Sequence, residues 1–447
     1  MRILLGTPNP PLSLLIQRVL TRFHYEWKVE DNGLDVFQKI IGGKFDLLIL
    51  EFNLPRMNAV EILRRLGALE NYKMPPVIVL TFSEAERDAI EREHFPRTHV
   101  VSRPMAIRPF VDVVQQILHQ AVRVACFGGG TGLFTLLSGL KTIPGLHLSS
   151  IVSMSDDGGS TGKLRSLFGI LPPGDIRRSL VALSTAPDLL NELMQYRFEK
   201  ESGGELGGHN LGNLLLTALI HMRGGMSHAV KGFGEILNIV GEVIPVTETT
   251  HMLKAELENG KTIEGEHRID LFEGHDPNLR IQRLWLDPSV SANPDALEAI
   301  FNAHYILLGP GDLFTSVIPN FLVEGIANAI SSSRAKKIYV CNVMTKPGET
   351  TNFSAGDHVT EIVKYLGKDC LDYVVCSSTE FSPDAVKRYK TMNQQPVEDN
   401  APKIKDVTKA HILWGDIASE EALVRHDSLK LSTFIKKIID EAHRKVA

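Results

Sequence analysis

Two runs in this sequence carry the residue types needed to hold phosphates. The first is the apolar stretch Val124–Phe127 followed by Gly128-Gly129-Gly130-Thr131-Gly132. Glycines between a strand and a helix let the backbone approach an anion closely, and a helix start offers free N–H groups. The second is Ser155-Asp156-Asp157-Gly158-Gly159-Ser160-Thr161-Gly162-Lys163, directly after the strand-like Leu148–Met154. Adjacent carboxylates at Asp156 and Asp157 suit a Mg²⁺ held between protein and phosphate, or a base acting on a hydroxyl. The competing reading is that one of the two caps a helix and only the other faces a ligand. Consecutive parallel strands would bring both loops to one end of a sheet, where ligands sit in open α/β folds.

The two commonest occupants are excluded by spacing. The first loop is not the G-x-G-x-x-G fingerprint and no acid ends the second strand in the usual way, so NAD is not expected. The run Gly158–Lys163 has three residues between its glycines instead of the four of a Walker loop, and Leu164 replaces Ser or Thr. ATP hydrolysis is not expected. Three more loops follow. They are Pro172-Pro173-Gly174-Asp175-Ile176-Arg177-Arg178, Gly207-Gly208-His209-Asn210-Leu211-Gly212-Asn213, and Gly309-Pro310-Gly311-Asp312-Leu313-Phe314-Thr315. Asn342 and Thr345 come after the next strand-like run. Of these, His209, Asn210, Asn213, Gly309, Pro310, Gly311, Asp312, Thr315 and Asn342 join the candidate ligand set, with Ser160, Gly158 and Gly159. A lone His at a helix start is more often structural, but two Asn beside it favour a polar site.

These loops need a frame. The chain has 447 residues, 43% of them apolar and 23% charged, enough for two or three packed domains. The net charge of -5 argues against a nucleic-acid binder. Four cysteines with no C-x-x-C pair do not make a disulfide framework. No apolar run reaches membrane-spanning length, and the N-terminus lacks a signal-like core, so a cytoplasmic protein without a membrane role is expected. From residue 1 to 120, strand-like runs at Ile3–Leu5, Glu26–Glu30, Leu47–Leu50, Val77–Leu80 and Val100–Ser102 alternate with amphipathic stretches such as Leu12–Phe23, Ala59–Leu66 and Phe110–Ile117. Five βα units predict a flavodoxin-like (βα)5 domain. No linker precedes the next strand, which predicts a fixed docking of the two domains. From 121 to 447 the pattern restarts as a larger doubly wound, Rossmann-like α/β domain. Its strands are expected at Val124–Phe127, Leu148–Met154, Tyr305–Leu308, Lys337–Cys341 and Tyr373–Cys376, with residues 175–240 mostly helical and Lys430–Val446 as a closing helix. Leu253–Leu257, Asn259-Gly260 and Thr262–Glu264 read as a hairpin, and residues 250–286 as a small β insertion.

Taken in order from Arg123 to about residue 390, the loops resemble the family of the bacterial gluconeogenesis factor and the 2-phospho-L-lactate transferase of deazaflavin cofactor synthesis. The matching residues are Gly128–Gly132, Asp156–Ser160, Gly174–Arg177, His209–Asn213, Gly309–Gly311 and Asn342. Ser-Asp-Asp-Gly-Gly-Ser and Gly-His-Asn-Leu-Gly-Asn look closer to the gluconeogenesis-factor branch. That branch implies a UDP-sugar ligand such as UDP-N-acetylglucosamine, and a link to carbon flux and cell-envelope upkeep. The other branch implies transfer of a phosphoryl-linked group from a nucleoside diphosphate carrier to a deazaflavin hydroxyl. Whether this chain turns anything over is open at this point, as is a homodimer. Asp312 departs from the pattern, because Ser is common after Gly-Pro-Gly. A carboxylate there would repel a diphosphate unless a metal or a sugar hydroxyl intervenes.

Residues 1–120 resemble the receiver domain of response regulators, through the run Phe45–Asn58, Thr81 and Arg103-Pro104. Glu51 stands where receivers place the phosphoacceptor Asp. The turn Gly6-Thr7-Pro8-Asn9-Pro10 lacks the acidic pair that holds Mg²⁺. Glu51 also adds a methylene, enough to misplace a nucleophile by about 1 Å. The domain reads as a pseudo-receiver that docks a protein partner or serves as a scaffold. Acetyl phosphate with Mg²⁺ should leave its intact mass unchanged. One added phosphate on Glu51 would overturn that reading.

Overall fold

The computed structural model describes residues 2–20, 25–69, 72, 74–93, 95, 97–103, 110–111, 113–114, 117, 122–201, 204–271, 276–420 and 423–444. The chain divides into two compact units, Met1–Ala121 and Val122–Ala447.

The first unit holds strands β1 (Arg2–Gly6), β2 (Glu26–Glu30), β3 (Leu47–Glu51), β4 (Val77–Thr81) and β5 (Thr98–Ser102). They form one parallel sheet in the order β2-β1-β3-β4-β5, the flavodoxin-like order. Every residue of β3 and β4 is buried, as central parallel strands covered on both faces require. Alternate residues feed two cores. Leu4, Leu48 and Leu50 face one, and Ile3, Leu5, Leu47 and Ile49 face the other. Helix Ala59–Gly67 starts where the Asn58 side chain accepts from the Glu61 N–H, and it buries Ile62, Leu63 and Leu66. The expected helix Leu12–Phe23 is Pro10–Leu20 as far as it is described. Phe23, Pro104 and, within Phe110–Ile117, Asp112, Gln115 and Gln116 lie outside the described residues.

The second unit holds β6 (Val122–Gly128), β7 (Leu146–Val152), β8 (Glu242–Pro245), β9 (Met252–Leu257), β10 (Thr262–Glu264), β11 (Ile281–Asp287), β12 (Tyr305–Leu308), β13 (Lys336–Val340), β14 (Tyr373–Ser377) and β15 (His411–Gly415). Seven of them form a parallel sheet in the order β15-β14-β13-β12-β6-β7-β8. The strand order reverses between β6 and β12, which makes that gap the topological switch point of a doubly wound sheet. The edge strands β8 and β15 were not read from the sequence. One is four residues ending in a proline, and the other is half-buried. The expected hairpin is β9–β10, and β11 adds a third antiparallel strand to the insertion. Four α-helices and a short 3-10 turn among the described residues between Gly174 and Leu237 occupy the region expected to be helical. The closing helix is Ser428–Arg444, and Val446 lies outside the described residues.

Phe127, Leu133, Leu136, Leu137 and Leu308 are fully buried and fix helix Gly130–Leu140 on the sheet. Burial of each such side chain contributes about 1.5–3 kcal/mol. The helix enters beside the loop that leaves β12. A Cβ on Gly132 would stand 2.3 Å from the Pro310 carbonyl oxygen and 2.8 Å from the Gly311 Cα. Only glycine permits that approach. Gly132→Ala should therefore destabilise the protein by about 1–3 kcal/mol through overpacking, read as a lower urea midpoint. An unchanged midpoint would show that the two loops part freely.

Candidate functional site

A cleft of about 370 Å³ opens at the switch point, within the size range of small-ligand sites. Gly129–Gly132 from the end of β6 and Pro310–Asp312 from the end of β12 line its centre. Asp156, after β7, and Asp175 and Arg178, on helix Gly174–Leu183, form one side. Glu266, His267 and Asp270, on the short helix of the β insertion, form another. Asn342 and Met344 after β13, with Arg425 and His426 from near the C-terminus, complete it.

The glycine turn is partly occupied by the protein itself. The Asp175 carboxylate accepts a hydrogen bond from the Gly130 N–H and approaches Gly129 where a side chain would otherwise be, at 2.5 Å from an added Cβ. Arg178 stands beside it, with NH1 3.8 Å from the Asp175 Oδ1. Burial and then the neighbouring Asp156 push the Asp175 carboxyl up to about 6. Burial raises Asp156 as well, against hydrogen bonds from the Gly158 N–H and Thr161. Burial, with Asp156 and Asp270, pushes Glu266 up to about 10, so at neutral pH it presents an O–H. The cleft thus combines a helix start and two arginines with a bank of carboxyl groups.

The Asp156-Asp157 pair divides. Asp156 lines the cleft, whereas the Asp157 Oδ1 accepts from the His267 N–H at 2.8 Å and satisfies the start of the insertion helix. Gly158 is the N-cap of helix Gly159–Phe168. Ser160 and His209 hydrogen-bond to each other at 3.1 Å. The Asn210 Oδ1 accepts from the Asn213 N–H, and the Asn213 Oδ1 accepts from the buried Arg177 Nε at 2.9 Å. These four side chains bond to the protein and do not line the cleft. Gly128 ends β6 and Gly309 follows β12, both behind the lining residues. Thr315 is buried and donates to Glu349 at 3.3 Å, leaving Ser316 on the cleft.

Asp312 does line the cleft, and its charge is met by Lys346, whose Nζ lies 2.8 Å from the Asp312 Oδ2 and 2.9 Å from the Glu349 Oε1. Asp270 binds the same ammonium. Burial alone would lower the Lys346 pKa, but Glu349, Asp312 and Asp270 overcome it and raise it. Burial pushes Glu349 up to about 7. The oxygens of the three acids are close enough for a divalent ion, but the ammonium fills that position. The carboxylates that face the cleft together and could share a cation are Asp156 and Asp175. Several cleft residues were missed in the sequence. Asp175 and Arg178 stood inside the quoted Pro172–Arg178 loop, but Glu266, His267, Asp270, Arg425 and His426 carry no motif.

The profile of the 2-phospho-L-lactate transferase CofD family matches residues 124–414. A Thermotoga maritima protein is 42% identical over 320 residues, covering 71% of this chain and 99% of that one. The gluconeogenesis factor of Bacillus subtilis is 38% identical, covering 72% of this chain and 99% of the factor. The chain belongs to this family. A crystal structure of a Bacillus halodurans protein, 39% identical, superposes with a TM-score of 0.66 over 70% of this chain and 98% of that one. The response regulator receiver domain profile matches residues 8–115. There the Thr7 hydroxyl donates to Glu51, and the Arg103 NH1 lies 4.0 Å from the Glu51 Oε1. No described helix is long and apolar enough to cross a membrane.

Within this member of the 2-phospho-L-lactate transferase family, Lys346 is the tie between the insertion and the β12 loop. Lys346→Met should leave the fully buried Glu349 uncompensated and cost about 3–5 kcal/mol, measured by urea unfolding. A loss below about 1 kcal/mol would show that the pair is dispensable.

Proposed function

We propose that the cleft binds a nucleoside diphosphate sugar of the UDP-N-acetylglucosamine kind, and that the protein acts as a binding regulator of carbon metabolism and cell-envelope upkeep. The observation that carries this is the bipolar cleft at the switch point. The start of helix Gly130–Leu140, with Arg178 and Arg425, suits a diphosphate. Glu266, Asp270 and Asn342 suit sugar hydroxyls. The description of relatives as gluconeogenesis factors supports the metabolic link. Because Asp175 already sits at the helix start, a diphosphate there needs a cation or a proton beside it. Mg²⁺ between Asp156 and Asp175 supplies the first. Asp157 takes no part in this reading except to hold the insertion. The first unit serves as a docking module for a protein partner.

A second reading, transfer of a phosphoryl-linked group to a deazaflavin hydroxyl, draws on the same carboxylates. Asp156, half-buried and facing the cleft, is placed to take a proton from an acceptor. It requires product, which distinguishes it from binding alone.

Calorimetry with UDP-N-acetylglucosamine should give saturable heat without turnover. Arg178→Ala should weaken binding by about tenfold, equivalent to about 1.4 kcal/mol. Asp175 is an anion above about 6 and neutral below it. Without divalent cation, affinity should therefore rise as pH falls from about 7.5 to about 5.5, and Mg²⁺ should flatten that slope. No heat from folded protein would end the reading. Formation of a deazaflavin product, lost in Asp156→Asn, would replace it with the second.

A further inference from the structure

The walls of the cleft differ in chemistry. The insertion contributes Glu266, His267 and Asp270. Apart from Pro310, the apolar side chains among the described lining residues are Val343, Met344 and Val424. All three belong to the wall made by the segment after β13 and the residues near the C-terminus. They rest on a small apolar cluster of their own, with Ala385, Tyr389 and Ala418, apart from the main core. A nucleobase is apolar on its faces and polar at its edge, so it fits such a wall better than a sugar or a phosphate does.

His426 stands in the same wall. Strands β16 (Ala418–Ser419) and β17 (Arg425–His426) pair antiparallel and carry it, and the Val424 N–H donates to the Tyr389 hydroxyl at 2.7 Å. The imidazole Nε2 lies 3.1 Å from the carbonyl oxygen of Cys341, just past the end of β13. A carbonyl only accepts, so Nε2 carries the proton. Burial pushes the imidazole down to about 4, so the ring is neutral near pH 7 and Nδ1 keeps a lone pair. Among the described residues nothing donates to Nδ1, and that atom is not closed off from solvent.

We propose that His426 Nδ1 reads the edge of the nucleobase and selects a ring nitrogen that bears hydrogen, which makes uracil the base of the ligand. The inference rests on the nucleoside diphosphate reading above and adds to it the residue that chooses the base. Uracil N3–H donates to Nδ1. Cytosine and adenine present a bare ring nitrogen instead, which sets lone pair against lone pair and leaves both acceptors unpaired. The tautomer that makes the choice is set by the Cys341 carbonyl before any ligand enters.

Calorimetry on the full chain with Mg²⁺ should show UDP binding about tenfold or more tighter than CDP, and tighter by a similar factor than 3-methyl-UDP, which lacks the N–H. His426→Phe keeps a flat ring and loses both nitrogens. It should weaken UDP about tenfold and leave CDP within about twofold, which erases the preference. A change that merely loosened β16 and β17 would weaken UDP and CDP alike, and that result overturns the proposal. Equal binding of UDP and CDP by the native chain also overturns it, as does undiminished binding of 3-methyl-UDP. Saturable heat from UDP-N-acetylglucosamine without any preference for UDP over CDP removes the base assignment alone. No heat from any of these ligands removes the binding reading and this inference together.

Discussion

Where β6 and β12 part, the backbone at Gly132 runs so close to the Pro310 carbonyl that no side chain fits between them. That approach locks the start of helix Gly130–Leu140 against the loop from the neighbouring half of the sheet. It also fixes what can lie in front of the helix start, namely a few N–H groups and a narrow strip of backbone. The carboxylate of Asp175 takes the first of those N–H groups. Everything else at the mouth of the sheet is arranged around an anion that the protein supplies itself.

The surplus of acid near that point is handled in three ways. Asp312 and Asp270 are neutralised by the ammonium of Lys346, with Glu349 beneath. Glu266 holds its proton because burial and its acidic neighbours make ionisation costly. Asp156 and Asp175 share a flank with Arg178, whose charge opposes the burial that raises both. The concern raised by Asp312, that it would repel a diphosphate, is met by Lys346, a residue 34 positions further on that no loop motif brings to mind.

The sheet architecture was legible because parallel, doubly covered strands write themselves as apolar runs, as in Leu47–Leu50 and Tyr305–Leu308. The edge strands were not, since Glu242–Pro245 and His411–Gly415 are short or half-buried and lack that signature. For the site, glycine loops pointed to the end of the sheet where the cleft opens, but residue type alone could not say which way each side chain turns. Asp156 and Asp157 are chemically identical in the sequence and opposite in the fold. His209, Asn210 and Asn213 look like a polar site and prove to be a hydrogen-bonded clamp around Ser160 and Arg177. The contributions of the insertion and the C-terminal Arg425 and His426 depend on long-range packing, which no local pattern encodes.

The outward turn of Asp157 carries a mechanical consequence. Its carboxylate grips the backbone of the insertion helix, while Asp156, one peptide away, faces the cleft. One short loop therefore fixes two things at once, the carboxylate that lines the cleft and the seat of the insertion helix whose Glu266 and His267 form the facing wall.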